Sequence, residues 1–91
     1  MAPTQTTGIL QEIIHQPEQR RFLCRVESEQ AVLYYRRLGK RGVDFHHTHV
    51  PEPLRGRGIA EALVREGLSW ARREDMTIAA SCWYVARWLR D

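Results

Sequence analysis

His47-Thr48-His49-Val50-Pro51-Glu52-Pro53-Leu54-Arg55-Gly56-Arg57-Gly58-Ile59-Ala60 is the stretch on which the reading of this chain turns. An extended segment ends near Val50, a glycine loop follows, and a helical pattern opens around Gly58. Such a junction points several free backbone N–H groups at one place, and the helix macrodipole adds partial positive charge there. The pattern predicts a seat for an anion, above all a phosphate.

Downstream of the loop the helix reads plainly. Ile59, Ala60, Leu63, Val64, Gly67, Leu68 and Ala71 fall on one stripe, with Glu61, Arg65, Ser69, Arg72 and Arg73 on the other side. Glu61 and Arg65 form an i,i+4 pair in the favourable order. Gly67 costs roughly 1 kcal/mol against Ala in a helix interior. Its presence predicts that the helix lies very close to a sheet at that point.

The 91 residues make one small domain, burying roughly 60–65% of its unfolded surface. At 43% hydrophobic and 27% charged the composition is that of a globular protein. No apolar run approaches the ~20 residues that a membrane span needs. Met1 to Gly8 is polar, without a hydrophobic signal core, and is expected to be a flexible tail on a domain of residues 9–91, with the cytoplasm as its compartment. Two cysteines, Cys24 and Cys82, do not make a disulfide framework. A formal charge of +3 suits an anionic ligand, but it is too mild to argue for nucleic acid alone.

Ile9 to Gln16 reads as a first strand, and Gln16-Pro17-Glu18-Gln19 as a turn. Arg21 to Glu27 alternates, with Phe22, Cys24 and Val26 on one face, although Leu23 breaks the polar one. Ala31 to Leu38 is a third strand, Gly39-Lys40-Arg41-Gly42 a hairpin, and Val43 to Val50 a fourth strand. In that strand Val43, Phe45 and His47 alternate against Asp44 and His46. Short connections predict antiparallel pairing among these four. After the helix, Glu74-Asp75 makes a break and Met76 to Ser81 a fifth strand, parallel to the fourth because a helical crossover separates them. Cys82 to Arg90 forms a closing helix with Val85, Trp88 and Leu89 inward. The expected class is α/β (α+β): an antiparallel meander, a helix, a parallel strand and a C-terminal helix.

Arg55-Gly56-Arg57-Gly58-Ile59-Ala60 resembles the Arg/Gln-x-x-Gly-x-Gly/Ala motif of the GNAT superfamily of acetyl-CoA-dependent N-acetyltransferases. His47-Thr48, Val50-Pro51, Leu63-Val64, Ala71-Arg72 and Ser81-Cys82-x-Tyr84-Val85 extend the likeness to its minimal, short-chain subfamily. It spans roughly Ala31 to Leu89. The loop alone is a weak signal; the loop followed by Cys-x-Tyr-Val is far more specific. The resemblance implies a reduced GNAT-like fold and acetyl-CoA as co-substrate. It places the pantetheine arm along Thr48, His49 and Val50, and the pyrophosphate on Arg55, Gly56, Arg57, Gly58, Ile59 and Ala60. A primary amine, either a small molecule or a protein lysine, would attack the thioester. Larger members carry additional elements that shape an acceptor pocket, so here that pocket is expected to be open or completed by a partner.

Three residues are candidates for the chemistry. Cys82 ends the fifth strand beside the expected thioester, as a nucleophile or an acid for the leaving thiolate; the alternative is a small buried hydrophobe. Tyr84 matches, with altered spacing, the tyrosine that in larger members protonates the thiolate; the alternative is core packing. His47 is a candidate general base or a structural residue beside the coenzyme. His46, His47 and His49 cluster, but only His47 and His49 share a strand face and no cysteine or carboxylate completes a set, so no metal is expected. Trp70, Trp83 and Trp88 read as core and surface packing residues rather than a stacking platform, and the basic doublets as solvated faces. The expected activity is N-acetyl transfer from acetyl-CoA by a monomer or weak homodimer. The alternatives are a non-catalytic CoA-binding module and a small nucleic-acid-binding domain.

Overall fold

Alternating side chains and short turns build a meander of four antiparallel strands, β1 (Ile13–Gln16), β2 (Arg21–Val26), β3 (Glu29–Leu38) and β4 (Gly42–His49). A single 3-10 turn, Glu52–Leu54, leads to α1 (Ile59–Arg73). β5 (Thr77–Ala80) and α2 (Trp83–Leu89) follow. The sheet order is β1-β2-β3-β4-β5, with β5 parallel to β4. This computed structural model describes residues 12–89. The tail expected over 1–8 and the start of the first strand at Ile9 lie outside those residues.

One face of the sheet presents Phe22, Cys24, Leu33, Tyr35, Val43 and Phe45 to α1, which answers with Ile59, Leu63, Val64, Leu68 and Ala71. Gly67 lies where the helix stripe meets this layer. A Cβ there would stand 2.9 Å from Phe45 Cε1 and 3.0 Å from Leu33 Cδ2. The close approach expected from the sequence is therefore real, and a methyl group would overpack the seam. Leu23 pairs with Val32 across the other face, and both are buried. That partnership accounts for the leucine that breaks the polar face of β2.

The fourth strand departs from simple alternation. Tyr35 pairs with Phe45 but Tyr34 pairs with His47, so one residue of β4, His46, is extra. A bulge of this kind flips every later side chain to the opposite face. His47 therefore does not continue the face of Val43 and Phe45, as strict alternation predicts. It turns outward beside Tyr34, ring centroids 6.1 Å apart. Thr48, opposite Leu33, joins the helix-side face instead.

α1 stops at a Schellman turn. Met76 N–H donates to the Ala71 carbonyl (2.9 Å) and Asp75 N–H to the Arg72 carbonyl (3.0 Å), with Asp75 at φ 57°. Glycine has no Cβ to strain in this left-handed region. The exposed pair that Asp75 makes with Arg41 (3.1 Å) contributes little. Asp75→Gly is expected to raise unfolding stability by about 0.5–1 kcal/mol in urea titrations. A loss of stability would show that the Arg41 contact outweighs the backbone strain.

Candidate functional site

β4 and β5 are paired only from Gly42 opposite Thr77 to Phe45 opposite Ala80. One further bond, Cys82 N–H to the Phe45 carbonyl (3.1 Å), closes the ladder. Beyond it the two segments part. A cleft of about 280 Å³ opens there, lined by Thr48, His49, Val50, Arg55, Ala60, Cys82, Trp83 and Tyr84. A neighbouring hollow of about 230 Å³ is lined by Val50, Leu54, Arg55, Gly56, Gly58, Ile59, Ala60, Glu61 and Tyr84. Val50, Arg55, Ala60 and Tyr84 line both, so the two adjoin as one groove from Cys82 to the glycine loop. Of the residues expected to hold the coenzyme, only Arg57 lines neither part.

The loop end of this groove has the makings of an anion seat. Gly58 caps α1 at φ 78° with no side-chain hydrogen bond to the helix end. The first helical bond runs from Ala62 N–H to the Gly58 carbonyl (3.1 Å). The N–H groups of Ile59, Ala60 and Glu61 thus have no carbonyl within the helix. Gly56 is also left-handed, at φ 81°, and a Cβ at either glycine would meet nothing within 4 Å. Backbone conformation, not crowding by the protein, demands glycine here, and it leaves the amides reachable. Arg55 turns partly inward: its Nε donates to the Val50 carbonyl (2.9 Å), bracing the loop against the end of β4.

At the other end stands Cys82. Its Sγ is 3.6 Å from Thr48 Oγ1, a contact that the bulge at His46 makes possible. Burial pushes the thiol up. Hydrogen bonds from Val85 N–H, the Thr48 hydroxyl, and the Tyr84 and Thr48 backbones outweigh it and hold Cys82 below the usual cysteine value. Cys24 is fully buried, and burial raises its thiol. Iodoacetamide should therefore modify Cys82 and spare Cys24 in the folded protein, with a pH midpoint below that of free cysteine. Thr48→Val should move that midpoint upward. A midpoint at or above the free-cysteine value would show that burial governs the thiol.

Asp44 is a site residue that alternation alone does not single out. It is 6% exposed in the middle of β4. Its carboxylate accepts from Ser81 N–H (2.8 Å), the Ser81 hydroxyl (2.8 Å) and Arg36 Nε (3.1 Å). Burial pushes this carboxyl up, but the Ser81 hydroxyl and N–H and the Arg36 guanidinium overcome it and hold it below the usual range. Asp44 thereby fixes the backbone one residue before Cys82. The available signal was a lone acid between Val43 and Phe45, facing a serine at the exit of the parallel strand.

Tyr84 is half-buried, its ring centroid 6.0 Å from Trp83 and 6.4 Å from Trp88, and it lines both parts of the groove. Trp70 and Trp88 pack against the core, and Trp83 stays at the surface. It is 69% exposed on the rim of the cleft, with the Arg87 guanidinium 5.9 Å from its ring. The first turn of α2 turns this indole outward, because the inward position goes to Val85. His47 is exposed on the far face and is not brought together with Cys82 and Tyr84. Among the described residues no three His, Cys, Asp or Glu side chains are grouped to hold a metal ion, and no helix is long and apolar enough to cross a membrane.

Comparison with known proteins places this arrangement. Residues 21–91 match the family described as GCN5-related N-acetyl-transferase. Protein NATD1 of Gallus gallus is 35% identical, over 100% of this chain and 89% of its own length. Protein NATD1 of Bos taurus is 38% identical, over 99% and 80%, and that of Homo sapiens 38%, over 85% and 70%. A five-stranded mixed sheet, the uncapped glycine loop and a match across most of the chain agree: the chain belongs to the GCN5-related N-acetyltransferase family, in a reduced form of its fold.

Proposed function

We propose that the protein transfers the acetyl group of acetyl-CoA to an amine, with the glycine loop as the diphosphate seat and Cys82 at the reacting end. The observation that carries this reading is the groove itself. It joins a helix N-terminus without a side-chain cap to the gap where β4 and β5 part. Gly56, Gly58, Ile59 and Ala60 would offer amides and Arg55 and Arg57 charge to the phosphates, while backbone from Thr48 to Val50 would border the pantetheine arm.

In the transfer step an unprotonated amine attacks the thioester carbonyl. A C–N bond forms and the C–S bond breaks. The departing thiolate takes its proton from the Tyr84 hydroxyl, the amine's surplus proton goes to water, and the tyrosinate recovers a proton from water to restore the hydroxyl. His47 has no part in this route. The depressed Cys82 thiol favours a second route, in which its thiolate first takes the acetyl group and releases CoA as thiolate. The amine then attacks acetyl-Cys82, returning the cysteine. The acceptor end of the cleft is open, with the exposed Trp83 on its rim, which suits a lysine on a protein surface as well as a small amine.

The test is titration with acetyl-CoA, followed by transfer assays on polyamines, small amines and basic peptides. Saturable binding and acetylated product are expected. Binding without transfer would leave a coenzyme-binding module, and no binding would end the proposal. Cys82→Ala should lower transfer by ~10²-fold or more if the covalent route operates. Intact mass after acetyl-CoA alone should then show an acetyl adduct that the variant lacks. Unchanged transfer by Cys82→Ala leaves direct attack.

A further inference from the structure

A second concavity lies at the opposite end of α1, a helix of 15 residues and hence about 22 Å long. It encloses about 530 Å³, more than either part of the coenzyme groove. Its floor is aromatic. Tyr35 is 3% exposed, its hydroxyl 2.7 Å from His15 Nε2. The Trp70 ring stands 5.0 Å from that of Tyr35 and 4.7 Å from that of His15.

The rim is cationic. Arg20 from the β1–β2 turn, Arg37 from β3 and Lys40 from the β3–β4 hairpin converge on the hollow. Glu74 also lines it, yet among the described residues no ion pair joins Glu74 to any of the three. Arg37 donates to the Lys40 carbonyl (2.9 Å), which fixes its guanidinium. Arg20 sits at φ 57°, an uncommon conformation for a non-glycine residue. Burial raises the Tyr35 hydroxyl, and Arg37 and Arg20 offset part of that rise. Burial lowers His15, with Glu66 opposing, so His15 is neutral near pH 7 and adds no charge of its own. The end carbonyls of α1 on Trp70, Ala71 and Arg72 accept from the Glu74, Met76 and Asp75 amides, so the negative end of the helix is satisfied by the chain itself.

Among the described residues three cations line this hollow against one carboxylate, Glu74, that pairs with none of them, and an anion between the cations relieves their mutual repulsion. Guanidinium groups match phosphate and carboxylate oxygens two at a time. We propose that this cleft binds a small multivalent anion bearing phosphate or carboxylate groups, held by Arg20, Arg37 and Lys40 over the Trp70–Tyr35 floor. The site is separate from the coenzyme groove and does not depend on acetyl transfer.

The full chain, labelled with nitrogen-15, is titrated by NMR with pyrophosphate in one arm and citrate in the other. Expected are saturable shifts of the Arg20 and Lys40 amides and the Trp70 indole N–H; the tighter arm tells phosphate from carboxylate chemistry. Arg20→Gln with Lys40→Gln should weaken this response by about tenfold or more. The response of Gly56 to Ala60, where pyrophosphate also has a seat, should stay unchanged. Arg37→Gln alone is the second variant, should the double one disturb the fold. No saturable shift at Arg20, Lys40 and Trp70 in either arm overturns the proposal. So does a response there that survives the substitutions undiminished.

Discussion

If the glycine loop seats the coenzyme diphosphate as proposed, Gly58→Val should lower the affinity for acetyl-CoA by about 30- to 140-fold. Gly58 holds φ 78° at the cap of α1, a conformation that a β-branched residue adopts only under strain. That strain is of order 1–3 kcal/mol. If the loop yields, it turns the Ile59 and Ala60 amides away from the groove; if it does not, the isopropyl group fills space that is now open. Either outcome removes about 2–3 kcal/mol of binding, at 1.4 kcal/mol per tenfold. Calorimetric titration reads the affinity and circular dichroism the fold. Gly39→Val is the control. Gly39 is also left-handed, at φ 69° with open space around it, but it lies in the β3–β4 hairpin away from the groove. It should lose similar stability and no coenzyme affinity. An affinity for Gly58→Val within threefold of the parent would mean that the amides of this loop do not carry the diphosphate.

Asp44→Ala is expected to cost about 2–3 kcal/mol of folding stability, a large share of the roughly 5–14 kcal/mol typical of a chain this size. The substitution leaves the Ser81 N–H and hydroxyl without their acceptor and Arg36 without its partner. Arg36 is more than half exposed, so water compensates it and the loss comes mainly from Ser81 and the buried space. The melting temperature should fall by about 10–20 °C. The carboxyl is depressed in the folded protein, so its contribution is complete above the unfolded value near pH ~4 and is lost as pH falls through the folded value. The gap between parent and variant should accordingly be wide at neutral pH and close in acid. Asp44→Asn keeps one acceptor and should lose about half as much. The same variants should change the pH midpoint of Cys82 alkylation, because Ser81 holds the backbone next to that thiol. A neutral-pH loss below about 0.5 kcal/mol would mean that Ser81 does not depend on Asp44.

Much of this molecule is legible without coordinates because it is written in periodicities. The stripe from Ile59 to Ala71 names both a helix and its buried face, and the misplaced glycine at position 67 reports how near the sheet comes. Alternation from Phe22 to Val26 and the short turns give the antiparallel meander, while the length of the helical crossover makes β5 parallel. The glycines at 56 and 58, just ahead of a helical stripe, give the uncapped helix end.

What alternation could not supply was the consequence of one extra residue. A period-two pattern puts His47 with Phe45; the bulge at His46 instead sends His47 outward and brings Thr48 to Cys82. The bulge arises from how β3 and β4 register against each other, which neither strand encodes alone. Asp44 and Ser81 lie far apart along the chain, and parallel pairing makes them partners. The same holds for Arg20, Arg37 and Lys40, ordinary surface cations in sequence, which the ends of three elements bring around one cleft. Local structure followed from spacing, because hydrogen bonding and burial repeat at fixed intervals along helix and strand. The meetings between distant side chains were decided only by tertiary structure, because register and strand order set which residues can touch.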